Sequence, residues 1–267
     1  TQLIFQPVTT QQAEQLIAEL NELGFEGFEE RTDSLIAFIP TPGFNEEEVK
    51  LVSEMYKLTY TKSVIVETNW NEVWESNFDP VIVDDFVAVR AAFHKPIASV
   101  EHEIVITPKM SFGTGHHATT FMMMQQMRSI AFAGKSVFDF GTGTGVLAIL
   151  AARLGATEVL AIDNDDWSID NAKENVENNG VGDIRIGKAD SAASLGRFDV
   201  ILANINKNVI LANLEALKTQ LVPGGVLLLS GLLVTDEPDM EAALAPLGLH
   251  VNSRQEKYNW LCLNVSY

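Results

Sequence analysis

Val137-Phe138-Asp139-Phe140-Gly141-Thr142-Gly143-Thr144-Gly145 carries an apolar strand into three glycines at alternate positions, and Val146-Leu147-Ala148-Ile149-Leu150-Ala151-Ala152 follows at once as an apolar helix. Glycines at such a strand-to-helix turn let the backbone bend sharply and approach a ligand closely. The spacing is G-x-G-x-G. The dinucleotide fingerprint G-x-G-x-x-G fails because position 146 is Val. Gly134-Lys135-Ser136 is not a phosphate-binding P-loop, because Ser129 stands where a glycine is required and the segment precedes its strand. A glycine-rich turn alone is as often structural as functional, so its neighbours decide its meaning.

Downstream, strands and helices alternate. Glu158 to Asp163 and Val200 to Asn204 read as strands, with helices over Trp167 to Asn178 and through Leu217, and another strand over Val226 to Ser230. This alternation predicts a mostly parallel sheet with helices on both faces. The last strands, Leu249 to Ser253 and Trp260 to Val265, are close enough to pair as an antiparallel hairpin. Phe86 to Arg90 and Glu103 to Ile106 are further strands ahead of this core.

The N-terminal residues form a different pattern. Leu3 to Val8 is strand-like, and Thr9 or Thr10 can cap a helix whose Ala13, Leu16, Ile17, Leu20 and Leu23 follow helical spacing up to Gly24. Two strands over 25–31 and 35–40 follow, then a helix capped by Asn45 and a strand over 62–67. The order β-α-β-β-α-β predicts a ferredoxin-like unit over residues 1–68. Residues 69–78 read as a connecting helix, with Trp70 and Trp74, and residues 79–267 as the larger domain.

Three positions stand out around the glycine turn. Asp163 ends the second strand, 22 residues after Gly141; an acid there can accept hydrogen bonds from both hydroxyls of a ribose. Read alone it could cap the next helix, for which Asp165 and Asp166 are better placed. Asn204 ends a strand beside the turn, where its amide carbonyl could accept a hydrogen bond from an amine or simply cap a helix. Ser111-Phe112-Gly113-Thr114-Gly115-His116-His117-Ala118-Thr119-Thr120 is a glycine-rich loop feeding a helix rich in Met122, Met123, Met124 and Met127. The methionines read as packing. His116 and His117 lack further ligands at metal-binding spacing, so no metal is expected.

Composition narrows the class. The 267 residues hold 18 Lys+Arg against 36 Asp+Glu, a formal charge of −18. That balance opposes broad contact with a phosphate backbone and favours a basic partner. Cys262 is the sole cysteine, which excludes an internal disulfide. The apolar runs Val146 to Ala152 and Val226 to Val234 are too short for a membrane helix, and Thr1 to Gln6 lacks the basic and apolar segments of a signal peptide. The expectation is a cytoplasmic protein with no membrane and no direct nucleic-acid contact.

Taken together, the 111–120 loop, the Asp139 turn, Ala203-Asn204-Ile205, Pro223-Gly224-Gly225 and Ser230-Gly231 resemble, in this order, the ribosomal protein L11 methyltransferases, within the class I S-adenosylmethionine-dependent enzymes. The resemblance spans essentially the whole chain. It implies a Rossmann-like methyltransferase domain (a mostly parallel seven-stranded sheet with a C-terminal antiparallel hairpin) plus a small N-terminal ferredoxin-like substrate-recognition domain. It implies S-adenosylmethionine as cofactor, with Thr120, Gly141, Asp163 and Asn204 at the family's cofactor-binding positions and Phe112 in the loop over the cofactor. Gly143 and Gly145 complete the turn, and Asn204 is the catalytic candidate. The implied reaction is methylation of lysine side-chain amines, and of an N-terminal amine, on a basic large-subunit ribosomal protein; the alternative is a methyltransferase of another protein, a nucleic acid or a small molecule. Two departures border the reaction centre. His116 and Ala118 replace the Thr and Pro of the usual Gly-Thr-Gly-Thr-His-Pro-Thr-Thr, and Asn206-Lys207 replaces Leu-Ala after Asn204-Ile205.

Overall fold

The computed structural model describes residues 1–64, 78–109 and 112–267. The chain divides into two compact units, 1–74 and 75–267. The connecting helix expected over 69–78 lies almost wholly outside the described residues.

In the first unit the elements run β1 (Gln2–Phe5), α1 (Thr10–Glu22), β2 (Gly27–Arg31), β3 (Ser34–Phe38), α2 (Glu46–Tyr56) and β4 (Tyr60–Ser63). The antiparallel sheet has the order β2-β3-β1-β4, the ferredoxin-like arrangement expected. Thr9 caps α1 in a reciprocal capping box with Gln12. Asn45 caps α2 by accepting from the Glu47 N–H at 3.1 Å. Leu3, Phe5, Leu16, Leu20, Leu35 and Val49 bury the faces that the sheet and helices share. The last strand begins two residues before the 62–67 expected, with Phe5 pairing Tyr60 and Gln2 pairing Ser63, and residues 65–67 lie outside the described residues.

The second unit opens with a three-stranded sheet of β5 (Val81–Val83), β6 (Val87–Ala91) and β7 (His102–Ile106). Next come α3 (Ala118–Met127), β8 (Ser136–Phe140), α4 (Val146–Arg153), β9 (Glu158–Asp163), α5 (Asp166–Asn178), β10 (Ile184–Lys188), β11 (Phe198–Asn204) and α6 (Lys207–Gln220). The chain ends with β12 (Leu221–Leu233), α7 (Glu237–Leu244), β13 (His250–Lys257) and β14 (Trp260–Ser266). Seven strands form one sheet in the order β10-β9-β8-β11-β12-β14-β13, with β14 antiparallel to both of its neighbours. The order reverses between β8 and β11, which are parallel neighbours although β9 and β10 intervene in sequence. A crevice opens at such a reversal, beyond the carboxyl ends of the strands.

The four methionines of α3 are fully buried in the core. Three of them are consecutive, so much of this helix's circumference faces the core, while Phe121, Gln125 and Gln126 stay partly exposed. Three elements were not foreseen, the short strand β5 among them. Strand β10 is a half-exposed edge strand containing Gly187, and its weak alternation resembles a loop. Helix α7 spans only eight residues.

An asparagine ladder fastens the small sheet to the core. Asn179, just past α5, accepts from the Val105 N–H at 2.9 Å and donates to the Val105 carbonyl at 2.6 Å. One turn earlier, Asn175 accepts from the Thr107 N–H at 2.7 Å and donates to the Thr144 carbonyl at 2.8 Å. Asn171 donates to the Thr107 carbonyl at 3.1 Å. The three amides satisfy the outer edge of β7 as a neighbouring strand would. Asn175→Ala should therefore lower unfolding free energy by about 2 to 4 kcal/mol, since it strands two backbone groups. Urea denaturation checks this, and a loss below about 0.5 kcal/mol, the scatter of an ordinary surface change, would remove the ladder's structural role.

Candidate active site

The turn after β8 is built by close approaches on both sides. Gly141 and Gly143 have φ of +78° and +54°. A Cβ on Gly141 would lie 2.2 Å from Ile205 Cγ2, and one on Gly143 would lie 2.2 Å from the Phe112 carbonyl oxygen. No side chain fits at either position. Gly145 sits deeper, against Ala172 of α5, and begins α4.

Hydrogen bonds lock the turn in place. Gly141 and Thr142 both donate their N–H to the Ile162 carbonyl at 2.9 Å. The Thr144 N–H donates to the Phe112 carbonyl at 2.9 Å, and its hydroxyl to the Gly113 carbonyl at 2.7 Å. The Thr142 hydroxyl donates to Asp139 at 2.6 Å. Asp139 is buried at the end of β8, and its Oδ1 has no partner among the described residues. Burial pushes its carboxyl up to about 7, and the nearby Asp163 charge adds to this.

A cavity of about 420 Å³ opens over this turn, within the size range of small-molecule sites. Phe112, Gly141, Gly143, Asp163 and Asn204 all line it. Asp163 accepts from the Gly143 N–H at 2.9 Å and from the Asp165 N–H at 3.2 Å. It does not cap α5; Asp165 does, accepting from the Ser168 N–H at 2.9 Å. Likewise Asn204 does not cap α6, since Asn206 accepts from the Val209 N–H at 3.1 Å. Asn204 is 7% exposed. Its Nδ2 donates to Thr120 Oγ1 at 3.0 Å, and its Oδ1, buried, has no partner among the described residues. Thr120 is fully buried and Gly145 nearly so; neither is among the residues lining the cavity.

Several lining residues escaped the sequence analysis as site candidates. His117, Ile205, Gly231, Trp260 and Ala189 line the cavity, and so does Asp190, for which the sequence leaves an adenine contact after the third strand and a plain surface position equally open. Gly231 had a signal: it interrupts an apolar strand, and its Cβ would lie 2.2 Å from the Ile205 carbonyl oxygen. Trp260 had none, because it arrives from the final strand to lie 4.6 Å, centroid to centroid, from the His117 ring. Phe112 also packs against His117, at 5.2 Å between centroids. His117 Nδ1 caps α3 by accepting from the Thr119 N–H at 3.4 Å. Burial depresses its pKa, which favours neutral imidazole. His116 turns away, with Nε2 2.8 Å from the Asp79 carbonyl. Among the described residues no three His, Cys, Asp or Glu side chains gather into a metal site, and no helix is long and apolar enough to cross a membrane.

These features fit a nucleoside-bearing cofactor. The turn glycines give close backbone approach, Asp163 offers a carboxylate at a strand end, and the Asn204 amide lines the same cavity.

Comparison with known proteins agrees. The family described as ribosomal protein L11 methyltransferase (PrmA) matches residues 7–267. The ribosomal protein L11 methyltransferase of Porphyromonas gingivalis is 41% identical over 259 residues, covering 94% of this chain and 89% of the relative. That of Bacteroides fragilis is 37% identical over 262 residues, covering 95% and 94%. The crystal structure of ribosomal protein L11 methylase from Lactobacillus delbrueckii subsp. bulgaricus superposes with a TM-score of 0.66 at 31% identity, over 71% of this chain and 98% of that one. With its sheet order, its glycine turn and a family match over nearly its full length, this chain belongs to the ribosomal protein L11 methyltransferases and is an S-adenosylmethionine-dependent enzyme.

Proposed function

We propose that this enzyme methylates lysine side-chain amines, and the N-terminal amine, of the large-subunit ribosomal protein L11. The observation that carries this reading is Asn204, which lines the cavity while its Oδ1 is buried without a partner among the described residues. A buried carbonyl without a partner is costly unless a ligand supplies a donor. An amine N–H is such a donor.

Bound in the cavity, S-adenosylmethionine supplies a methyl carbon on a sulfonium, whose transfer leaves neutral sulfur and needs no acid. The chain's task is then to hold both partners in line and exclude water, for which orientation can contribute several kcal/mol, up to about 7 to 11. The residues that serve the cofactor are Gly141, Gly143, Asp163 and Phe112, with Gly145 setting the start of α4. Asp163 would accept from the ribose hydroxyls. On the acceptor side, a lysine ammonium in water ordinarily gives up its proton only at about pH 10.4, and it must shed that proton before it attacks. The Phe112 and Trp260 rings, each packed against His117, whose pKa burial lowers, form an apolar wall that disfavours the ammonium. Asn204 Oδ1 accepts from the neutral amine and aims its lone pair. No side chain is nominated as general base.

The first unit is the candidate for recognising the substrate. Its described residues, 1–64, hold eleven Asp or Glu against four Lys or Arg, a surface suited to a basic ribosomal protein. After Asn204, Ile205 and Asn206 offer no ring to stack on a flipped base. This and the −18 charge favour a protein acceptor over a nucleic acid.

The direct test is incubation of the purified enzyme with S-adenosylmethionine and recombinant L11. The expected product is L11 carrying added methyl groups on lysines, read by mass spectrometry of its peptides. A folded, cofactor-binding enzyme that leaves L11 unmodified while methylating another component of a ribosomal extract would overturn the substrate assignment.

Asp163→Ala should weaken S-adenosylmethionine binding by about 1.5 to 3 kcal/mol, as charge-assisted hydrogen bonds do, or roughly ten- to a hundredfold in Kd. Calorimetry on the folded variant decides it; unchanged affinity removes Asp163 from the cofactor site.

Asn204→Ala should slow single-turnover methylation at saturating cofactor more than it weakens cofactor binding, because the lost alignment acts in the transition state. A wild-type rate would reduce Asn204 to a strand-end residue.

A further inference from the structure

The β13–β14 hairpin turns within two residues. Lys257 pairs with Trp260, which leaves Tyr258 and Asn259 as the turn, with φ of +52° and +66°. Positive φ at both positions is the type I′ geometry that matches the twist of a hairpin, and it selects Asn, Asp or Gly. Asn259 suits it. Tyr258 does not, because a bulky side chain meets a steric penalty in the left-handed region. Of the six non-glycine residues with positive φ among those described, Tyr258 is the one aromatic. It is 83% exposed, so packing does not offset the strain. A strained residue that packing does not hold in place points to function.

The end of this hairpin is continuous with the cavity wall. Lys257 and Trp260 stand directly opposite each other, so their side chains share one face of the sheet. The Trp260 ring lies against His117. Four residues along α3 from His117, the Phe121 ring receives the Lys257 ammonium 3.4 Å from its centroid. The same ammonium is 5.6 Å from the Tyr258 ring, near the outer limit of about 6 Å for a cation–π contact. Phe121 is therefore the ring that holds Lys257, and Tyr258 keeps most of its surface open. The turn itself is braced. The Asn259 carbonyl accepts from the Val234 N–H at 3.1 Å, and Trp260 also pairs with Leu233 of β12.

We infer that Tyr258 is a specificity-determining residue that contacts the protein acceptor beside the amine to be methylated, laying its ring against an uncharged stretch of that chain. This rests on the reading above that the acceptor is a lysine of L11. The cavity, about 420 Å³, has the size of a small-molecule site. With the cofactor bound it admits an amine and its stem, and the acceptor's main chain stays on the rim. Trp260 belongs to the cavity wall, and Tyr258 stands two residues before it at the exposed end of the same hairpin. Lys257 decides the chemistry of the contact. Its charge repels a second ammonium, so the part of the acceptor that suits Tyr258 is main chain or an apolar side chain flanking the target lysine. A tyrosine ring offers such a segment a large, rigid contact at little ordering cost.

The experiment compares Tyr258→Asn and Tyr258→Phe with the wild type. It reads KM and kcat for L11 at saturating S-adenosylmethionine, cofactor Kd by calorimetry, and Tm. Asparagine suits the turn better than tyrosine, so Tyr258→Asn should have a Tm equal to or above wild type. Its KM for L11 should nevertheless rise at least about tenfold, the loss typical of an aromatic anchor. Its kcat and cofactor Kd should stay within about threefold, because the ring meets the flanking chain and not the reacting atoms. Tyr258→Phe keeps the ring and should bring KM back to within about threefold of wild type. A wild-type KM in Tyr258→Asn overturns the inference. So does a cofactor Kd raised as far as KM, which would put the ring on the cofactor, and so does a lowered Tm with a reduced kcat at constant KM, which would make Tyr258 a structural part of the hairpin. A wild-type enzyme inert toward L11 would refute the L11 reading and leave this one standing; the same comparison then runs on the ribosomal protein that the enzyme does methylate, decided by the same outcomes.

Discussion

The turn from Gly141 to Gly145 is wedged between Ile205 and the Phe112 carbonyl, close enough that a single added carbon at Gly141 or Gly143 would collide. This contact joins three segments far apart in sequence: the loop before α3, the turn after β8 and the end of β11. Each contributes a different part of the site. The Phe112 loop supplies rings, the turn supplies backbone, and β11 supplies the Asn204 amide. The asparagine ladder on α5 takes up the Thr144 carbonyl at the base of the turn, so the small β5–β7 sheet is fastened to the same point. Substituting a larger residue at Gly143 would push apart the Phe112 loop and the turn together, which is why the geometry tolerates no local compromise there.

Much of this was legible in the chain because the information is local. Three glycines after an apolar strand, an acid at the end of the next strand and an asparagine at the end of a later one are short-range patterns. The alternation of elements constrains how their strands can neighbour one another. The ferredoxin-like unit was readable for the same reason, through its caps at Thr9 and Asn45. What escaped depends on distant segments meeting. Trp260 enters the site from the last strand and its neighbours in sequence carry no motif. Strand β10 escaped because its half-exposed residues and internal glycine carry too little apolar alternation to mark it. The cap assignment needed three dimensions only to choose between Asp165 and Asp166: the structure gives the cap to Asp165, while Asp163 turns to Gly143.

The departures from the family's usual residues fall where they disturb the centre least. His116, in place of threonine, points its Nε2 to the Asp79 carbonyl and packs edge-on against Phe78, away from Asn204. His117, at the family's own histidine position, keeps the helix cap and the ring wall. At the other departure, Asn206 caps α6, and Lys207 bridges Asp236 and Asp239. Those ion pairs tie the start of α6 to the segment after β12, so the changed residues brace the strand end that carries Asn204 without occupying its hydrogen-bonding positions.

Charge is distributed around the turn in a way that suits a cationic cofactor. Two carboxyls, Asp139 and Asp163, lie close enough to interact, yet they face different surroundings. Asp139 is buried beneath the turn, where desolvation pushes it up to about 7 and the Thr142 hydroxyl is its hydrogen-bond donor. Near neutral pH it is therefore partly protonated, which relieves repulsion with its neighbour. Asp163 faces the cavity and draws on the Gly143 and Asp165 N–H groups. A positive ligand entering the cavity would favour ionised Asp139 as well, since an opposite charge nearby stabilises a carboxylate. By linkage the same interaction runs in reverse: as pH rises through the Asp139 titration, the ionised form gives a cationic ligand a more negative floor to bind above.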